Sequence, residues 1–117
     1  MIEVTNMGAQ GDVLFRRVDA IPPEALRRPH ERRVVVAHSE TGHHHVIDSA
    51  GVALFTVDNP FICYLKLETP HVEVVHEREF DTHQTLRLLG TNDGKPVYYE
   101  VRRQREHALE GPQPAAD

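Results

Sequence analysis

Breaks recur along this chain before a helix can grow. Gly11-Asp12, Pro22-Pro23, Pro29, Thr41-Gly42, Ser49-Ala50-Gly51, Asp58-Asn59-Pro60, Thr69-Pro70 and the stretch from Gly90 to Pro96 divide it into short pieces. Most of the pieces alternate apolar and polar residues or are rich in valine, leucine and tyrosine. Such runs, closed off by turn-forming residues, read as strands. They predict strands over 13–18, 33–38, 43–48, 52–57, 61–68, 71–76, 84–89 and 97–103. About eight short strands at spacings of roughly 8–12 residues, with no amphipathic helix, is the pattern of an all-β barrel or sandwich. A jelly-roll or cupin-like arrangement falls within that class. Only Pro23 to Arg28 suggests a helical turn, with proline near its start.

Alternation also predicts which side chains face inward. Val13 and Phe15 share one face of their strand, and Leu14 and Arg16 the other. Phe61, Cys63, Leu65 and Leu67 form the better core face of theirs. Val72, Val74 and His76 share a third face, and Val34, Val36 and His38 a fourth. Residues 1–10 read as a loose lead-in. From about Ala108 the chain is small and polar with two prolines, which predicts a disordered tail at 108–117. The expectation is a single β domain over 1–107.

With 117 residues, one domain of this kind can bury a core without disulfides or metals. The single cysteine, Cys63, permits no internal disulfide and fits a reducing, cytoplasmic setting. It lies in an apolar run, where a thiol is a small core residue rather than a nucleophile. The start of the chain lacks the basic and apolar regions of a signal peptide. No apolar run approaches the roughly 20 residues of a membrane span. A net charge of −5 makes nucleic acid an unlikely partner, since such proteins usually present a basic face. Arginines are nevertheless clustered: Arg16, Arg17, Arg27, Arg28, Arg32 and Arg33 early, and Arg102, Arg103 and Arg105 late.

The compositional anomaly is nine histidines. Three stand in a row at His43, His44 and His45, after a Thr-Gly turn signal. On a strand, His43, His45 and Ile47 share a face, with the two histidine Cα atoms roughly 6–7 Å apart. His44 points the other way and is the bystander. His76 continues the apolar face of Val72 and Val74, so it points inward, where a polar ring needs a partner. His83 is a fourth candidate from the following loop. Neutral imidazole is a common ligand for zinc, nickel, iron and copper. Three histidines with an open position form the arrangement of a catalytic metal site. The residues therefore nominate His43, His45, His76 and His83 as metal ligands, against the simpler reading of structural or surface histidines. No organic cofactor is indicated.

Other chemistries lack their signatures. His76-Glu77-Arg78-Glu79-Phe80 opens like the zinc-protease helix motif but carries Phe80 where the second histidine belongs. No Gly-x-Ser-x-Gly elbow surrounds Ser39 or Ser49, and no glycine-rich phosphate loop is present. Val101 to His107 reads as a solvated strand end with charges of both signs. A sharper reading sends one of its arginines to the histidine site or to a subunit partner.

Gln10-Gly11-Asp12-Val13, Thr41-Gly42-His43-His44-His45, His76-Glu77 and Gln104-Arg105-Glu106 together resemble a family of small bacterial and phage proteins without an assigned activity. Its blocks read Gln-Gly-Asp-Val, Thr-Gly-His-x-His, His-x-Glu-His and Gln-Arg-Glu-Tyr. The resemblance implies that His43, His45 and His76 occupy the family's histidine positions. This chain departs at Glu79, which stands where a second histidine is expected unless a short insertion makes His83 the counterpart. It departs again at His107, in place of tyrosine. The paired histidines also resemble those of cupins, by architectural analogy alone.

These readings converge on a small β protein with a histidine-lined site for a divalent transition metal. Strand edges that need covering imply a homo-oligomer. Whether the site is catalytic stays open. The alternative is a non-enzymatic interaction or accessory subunit, encoded by a phage or an operon, whose histidines line an interface.

Overall fold

The alternating runs do form strands, and the strands fall into two layers. The computed structural model describes residues 1–37, 44–76, 85–91 and 93–103. Eleven strands occur among them: β1 (Ile2–Val4), β2 (Met7–Gln10), β3 (Val13–Val18), β4 (Leu26–Arg27), β5 (Arg33–Ala37), β6 (His45–Asp48), β7 (Val52–Thr56), β8 (Ile62–Leu67), β9 (His71–His76), β10 (Leu86–Leu89) and β11 (Val97–Arg103). One sheet has the order β1-β10-β9-β6-β5, and the other β2-β3-β11-β8-β7-β4. Among the described residues no ladder joins one sheet to the other, so this is a sandwich and not a closed barrel.

Hairpins alternate between the layers. β5-β6 lies in the first sheet, β7-β8 in the second, β9-β10 in the first, and β11 returns to the second. β6 therefore pairs with β9 across the β7-β8 excursion, and β8 pairs with β11 across β9-β10. Among the described residues every pairing is antiparallel except β1 with β10. β11 sits between β3 and β8 in the middle of its sheet.

The inward faces are those that alternation predicts. Phe15, Leu65, Leu67, Val74, Leu88 and Tyr99 are wholly buried between the layers, each large aliphatic side chain contributing about 1.5–3 kcal/mol by leaving water. Tyr99 also carries a polar tip into the core. Its hydroxyl donates to the Leu89 carbonyl at 2.7 Å, with the Val4 carbonyl 3.2 Å away. This link ties β11 in one sheet to β10 and β1 in the other. Burial raises the Tyr99 hydroxyl above its ordinary pKa. On the outer face of the second sheet, the buried carboxylate of Glu100 is flanked by Arg16 and Arg102, each at 3.4 Å.

Two expectations are corrected. Residues 1–10 are not a loose lead-in, since they supply β1 and β2, one at an edge of each sheet. Val4 is buried, and Glu3 and Glu73 flank Arg87 of β10 at 3.6 and 3.5 Å. The stretch Pro23–Arg28 forms no helical turn. Leu26 and Arg27 instead pair with Thr56 and Phe55 of β7. Among the described residues there is no helix, hence none long and apolar enough to cross a membrane. The expected tail at 108–117 lies outside the described residues.

Candidate functional site

The first layer brings two of the nominated histidines together. His45 opens β6 and His76 closes β9, and they are direct partners in the antiparallel register, two rungs from Ile47 and Val74. Ile47 and Val74 are wholly buried, so the same face carries both histidines inward. Their exposures fall to 4% and 7%. The imidazole rings stack, with centroids 4.2 Å apart and planes 9° from parallel.

Two buried imidazoles are costly unless their nitrogens are hydrogen-bonded. A residue from the other sheet meets part of that demand. Gln10 ends β2, only 2% exposed, and points across the sandwich. Its Nε2 donates to the Val74 carbonyl at 3.0 Å, and its Oε1 lies 2.8 Å from Nδ1 of His45. A backbone carbonyl can only accept, which fixes the orientation of the amide. Oε1 is then an acceptor facing Nδ1, so Nδ1 carries the proton. A neutral His45 in this tautomer has its lone pair on Nε2. Metal-bound histidines are commonly held this way, with the non-ligating N–H donating to an outer oxygen.

Gly11 follows at φ 60°, the left-handed region that glycine enters without the cost of a side chain. It turns the chain tightly from β2 into β3 and lets Gln10 close one strand just before Val13 opens the next. Asp12 of the same turn lies 3.7 Å from Arg103 at the end of β11. The late arginines thus have carboxylate partners, Glu100 for Arg102 and Asp12 for Arg103. Neither pairing involves a histidine. Arg105 and His107 lie outside the described residues.

Beside the pair, the chain bulges. β5 pairs with β6 at Val35↔Val46 and next at Ala37↔His45, which leaves Val36 as the extra residue. Ala37 also lines a cleft of about 290 Å³ together with Val36, Phe61, Cys63, Val101 and Arg103. Cys63 points into the sandwich, where its Sγ donates to the Val36 carbonyl at 3.4 Å. Burial pushes its pKa up to about 12. A thiol held that far above neutrality is protonated and a poor nucleophile, which agrees with the reading of Cys63 as a core residue.

The other nominated ligands, His43 and His83, lie outside the described residues, as does His38. His44 precedes β6 and is half-buried. Among the described residues no group of three or more histidine, cysteine or acidic side chains is arranged to hold a metal ion. Two imidazoles and one orienting amide are what the described residues bring together. The residue that sequence reasoning missed is Gln10. It was read only as the end of the lead-in over 1–10 and as the first letter of the first motif block. Nothing in its local sequence shows that it spans to the opposite sheet.

No curated protein and no solved structure matches the chain. A family match does cover residues 9–104, a span that takes in Gln10, His45 and His76. On that match the chain belongs to the family of the domain of unknown function DUF8820.

Proposed function

We propose that this β-sandwich binds a divalent transition metal through His45 and His76, with His43 and His83 as the further ligands. The observation that carries the reading is the Gln10–His45–His76 arrangement. It gives two adjacent inward imidazoles on neighbouring strands. The tautomer of one is set by an outer amide. Histidine-only donors favour zinc, nickel, copper or iron over calcium or magnesium.

The two stacked rings lie in nearly parallel planes, which places a nitrogen-bearing edge of each within the same small region. The cleft bordered by Ala37 and Cys63 would give a small molecule room beside the ion. Were the site catalytic, an open coordination position would supply Lewis-acid or hydroxide chemistry there.

The test uses protein purified without an affinity tag. Calorimetric titration with zinc and nickel should show one equivalent bound with micromolar affinity or better. His45→Ala and His76→Ala should each weaken it by about 100-fold or more, as the loss of one of few ligands implies. Chelator should lower the thermal midpoint of the wild type and leave the variants unchanged. A wild type that takes up no metal at micromolar concentration would end this reading.

A second reading, a non-enzymatic interaction subunit or homo-oligomer in the cytoplasm, is favoured by the exposed apolar side chains of Ile2, Met7, Leu26 and Val75. Light scattering on the full chain distinguishes an assembly from a monomer.

A further inference from the structure

At the other end of β5 from Ala37, the chain bridges the open edge of the sandwich. Arg27 closes β4, opposite Phe55 of β7. The Arg28 backbone N–H extends that ladder by donating to the Leu54 carbonyl at 2.8 Å. Pro29 to Arg32 then cross from the edge of the second sheet to β5, the edge strand of the first. A cleft of about 410 Å³ lies under this crossing. Val34, Val52 and Leu54 line its apolar floor, and Arg27, Arg28 and Arg33 its rim. Glu31 is the one acidic residue among the described residues lining it.

The charge there is unusual for this chain. The net charge is −5, yet three guanidinium groups gather around one cavity. Several other arginines are matched with carboxylates: Arg16 with Glu100, Arg32 with Asp48, Arg87 with Glu3 and Glu73, and Arg103 with Asp12. Among the described residues, no carboxylate lies within ion-pair distance of Arg27 or Arg28. A purely solvated basic surface would need no apolar floor. A purely apolar cleft would not be rimmed by cations. A ligand that satisfies both has an oxyanion at one end and an apolar body at the other. Guanidinium forks match carboxylate and phosphate oxygens, and the cleft volume falls in the range of small-molecule sites.

We propose that the cleft beneath the Arg28–Arg33 crossing binds small amphipathic organic anions, a carboxylate or phosphate monoester attached to an apolar body. This site is separate from the histidine pair and independent of metal binding.

Amide spectra of the isotope-labelled full chain, recorded during titration with phenyl phosphate, benzoate, inorganic phosphate and benzyl alcohol, test it. The two aromatic anions should shift the amides of Arg28, Val34 and Leu54 saturably at millimolar concentration or below. The stronger of the two identifies the preferred head group. Inorganic phosphate and benzyl alcohol, each carrying half of the required chemistry, should bind at least about tenfold more weakly. Arg27→Ala/Arg28→Ala should raise Kd for the better anion at least about tenfold, with the rest of the spectrum unchanged because both side chains are exposed. Arg16→Ala, on the outer face of the second sheet, should leave it unaltered. The proposal is overturned if neither aromatic anion saturates, if the double variant binds as the wild type does, or if inorganic phosphate binds equally well.

Discussion

Gln10 links the two sheets at the histidine end. It fills two buried polar demands at once, the Val74 carbonyl and the His45 Nδ1–H. Gln10→Leu keeps the volume and removes both partners. Each buried polar group deprived of a partner costs about 1–3 kcal/mol, so denaturant unfolding should show a loss of about 2–5 kcal/mol. Metal affinity should fall about 10–100-fold, as with other outer partners of metal-bound histidines. A Gln10→Leu protein of wild-type stability would show that the amide orients nothing. The inward placement of His45 and His76 was legible from strand alternation, because Ile47, Val72 and Val74 declare which face is apolar. Gln10 was not legible, because its partners lie 35 and 64 residues away and no local pattern encodes a reach across two layers.

At the scale of elements, strands with strong local signatures were found at nearly their true limits. β3, β9 and β11 match the expected ranges at both ends. Those missed had weak signatures. β1 is three residues long and β2 reads Met-Gly-Ala-Gln, poor β-formers held by β3. Leu26–Arg27 lacks any strand pattern and is extended because β7 offers an edge to pair with. Tertiary pairing decided each of these, which is why local propensity did not. Between elements, Gly90 shows how close the layers' turns approach. It follows β10 and donates its N–H to the Pro70 carbonyl at 2.7 Å. A Cβ at this position would collide with the Thr69 backbone carbonyl. Gly90→Ala must therefore displace the β9-side turn, and should destabilise by about 2 kcal/mol or more in urea unfolding. Gly94, at φ 83° with open space around its Cα, should lose only about 1 kcal/mol on the same change, from backbone strain.

For the whole molecule, three weakly acidic side chains held above their ordinary pKa make stability fall at alkaline pH. The Cys63 thiol titrates near 12 when folded and near 9 otherwise. Burial also raises Tyr99, and burial together with the Glu100 charge raises Tyr64, both from 10. In each case the unfolded chain releases its proton first. Stability is thus fully present below pH 9, declines as the pH climbs toward 12, and begins to fall with Cys63. Cys63→Ala should flatten the pH dependence of the unfolding free energy between about pH 9 and 10, where the tyrosines contribute least. An equally steep decline in that variant would assign the loss elsewhere.

The position of β11 has a consequence for how the protein is made. It is the last strand among the described residues, yet it lies in the interior of its sheet, with β2-β3 on one side and β8-β7-β4 on the other. Among the described residues those two groups share no ladder except through it. A nascent chain that has emerged only as far as Pro96 carries two fragments of a sheet with nothing to join them. The first layer is also incomplete early, since β1 waits for β10 some eighty residues later. Contacts of such sequence separation close slowly. The core, and with it the approach of Gln10 to His45, must assemble after synthesis has passed β11 rather than growing strand by strand behind the ribosome.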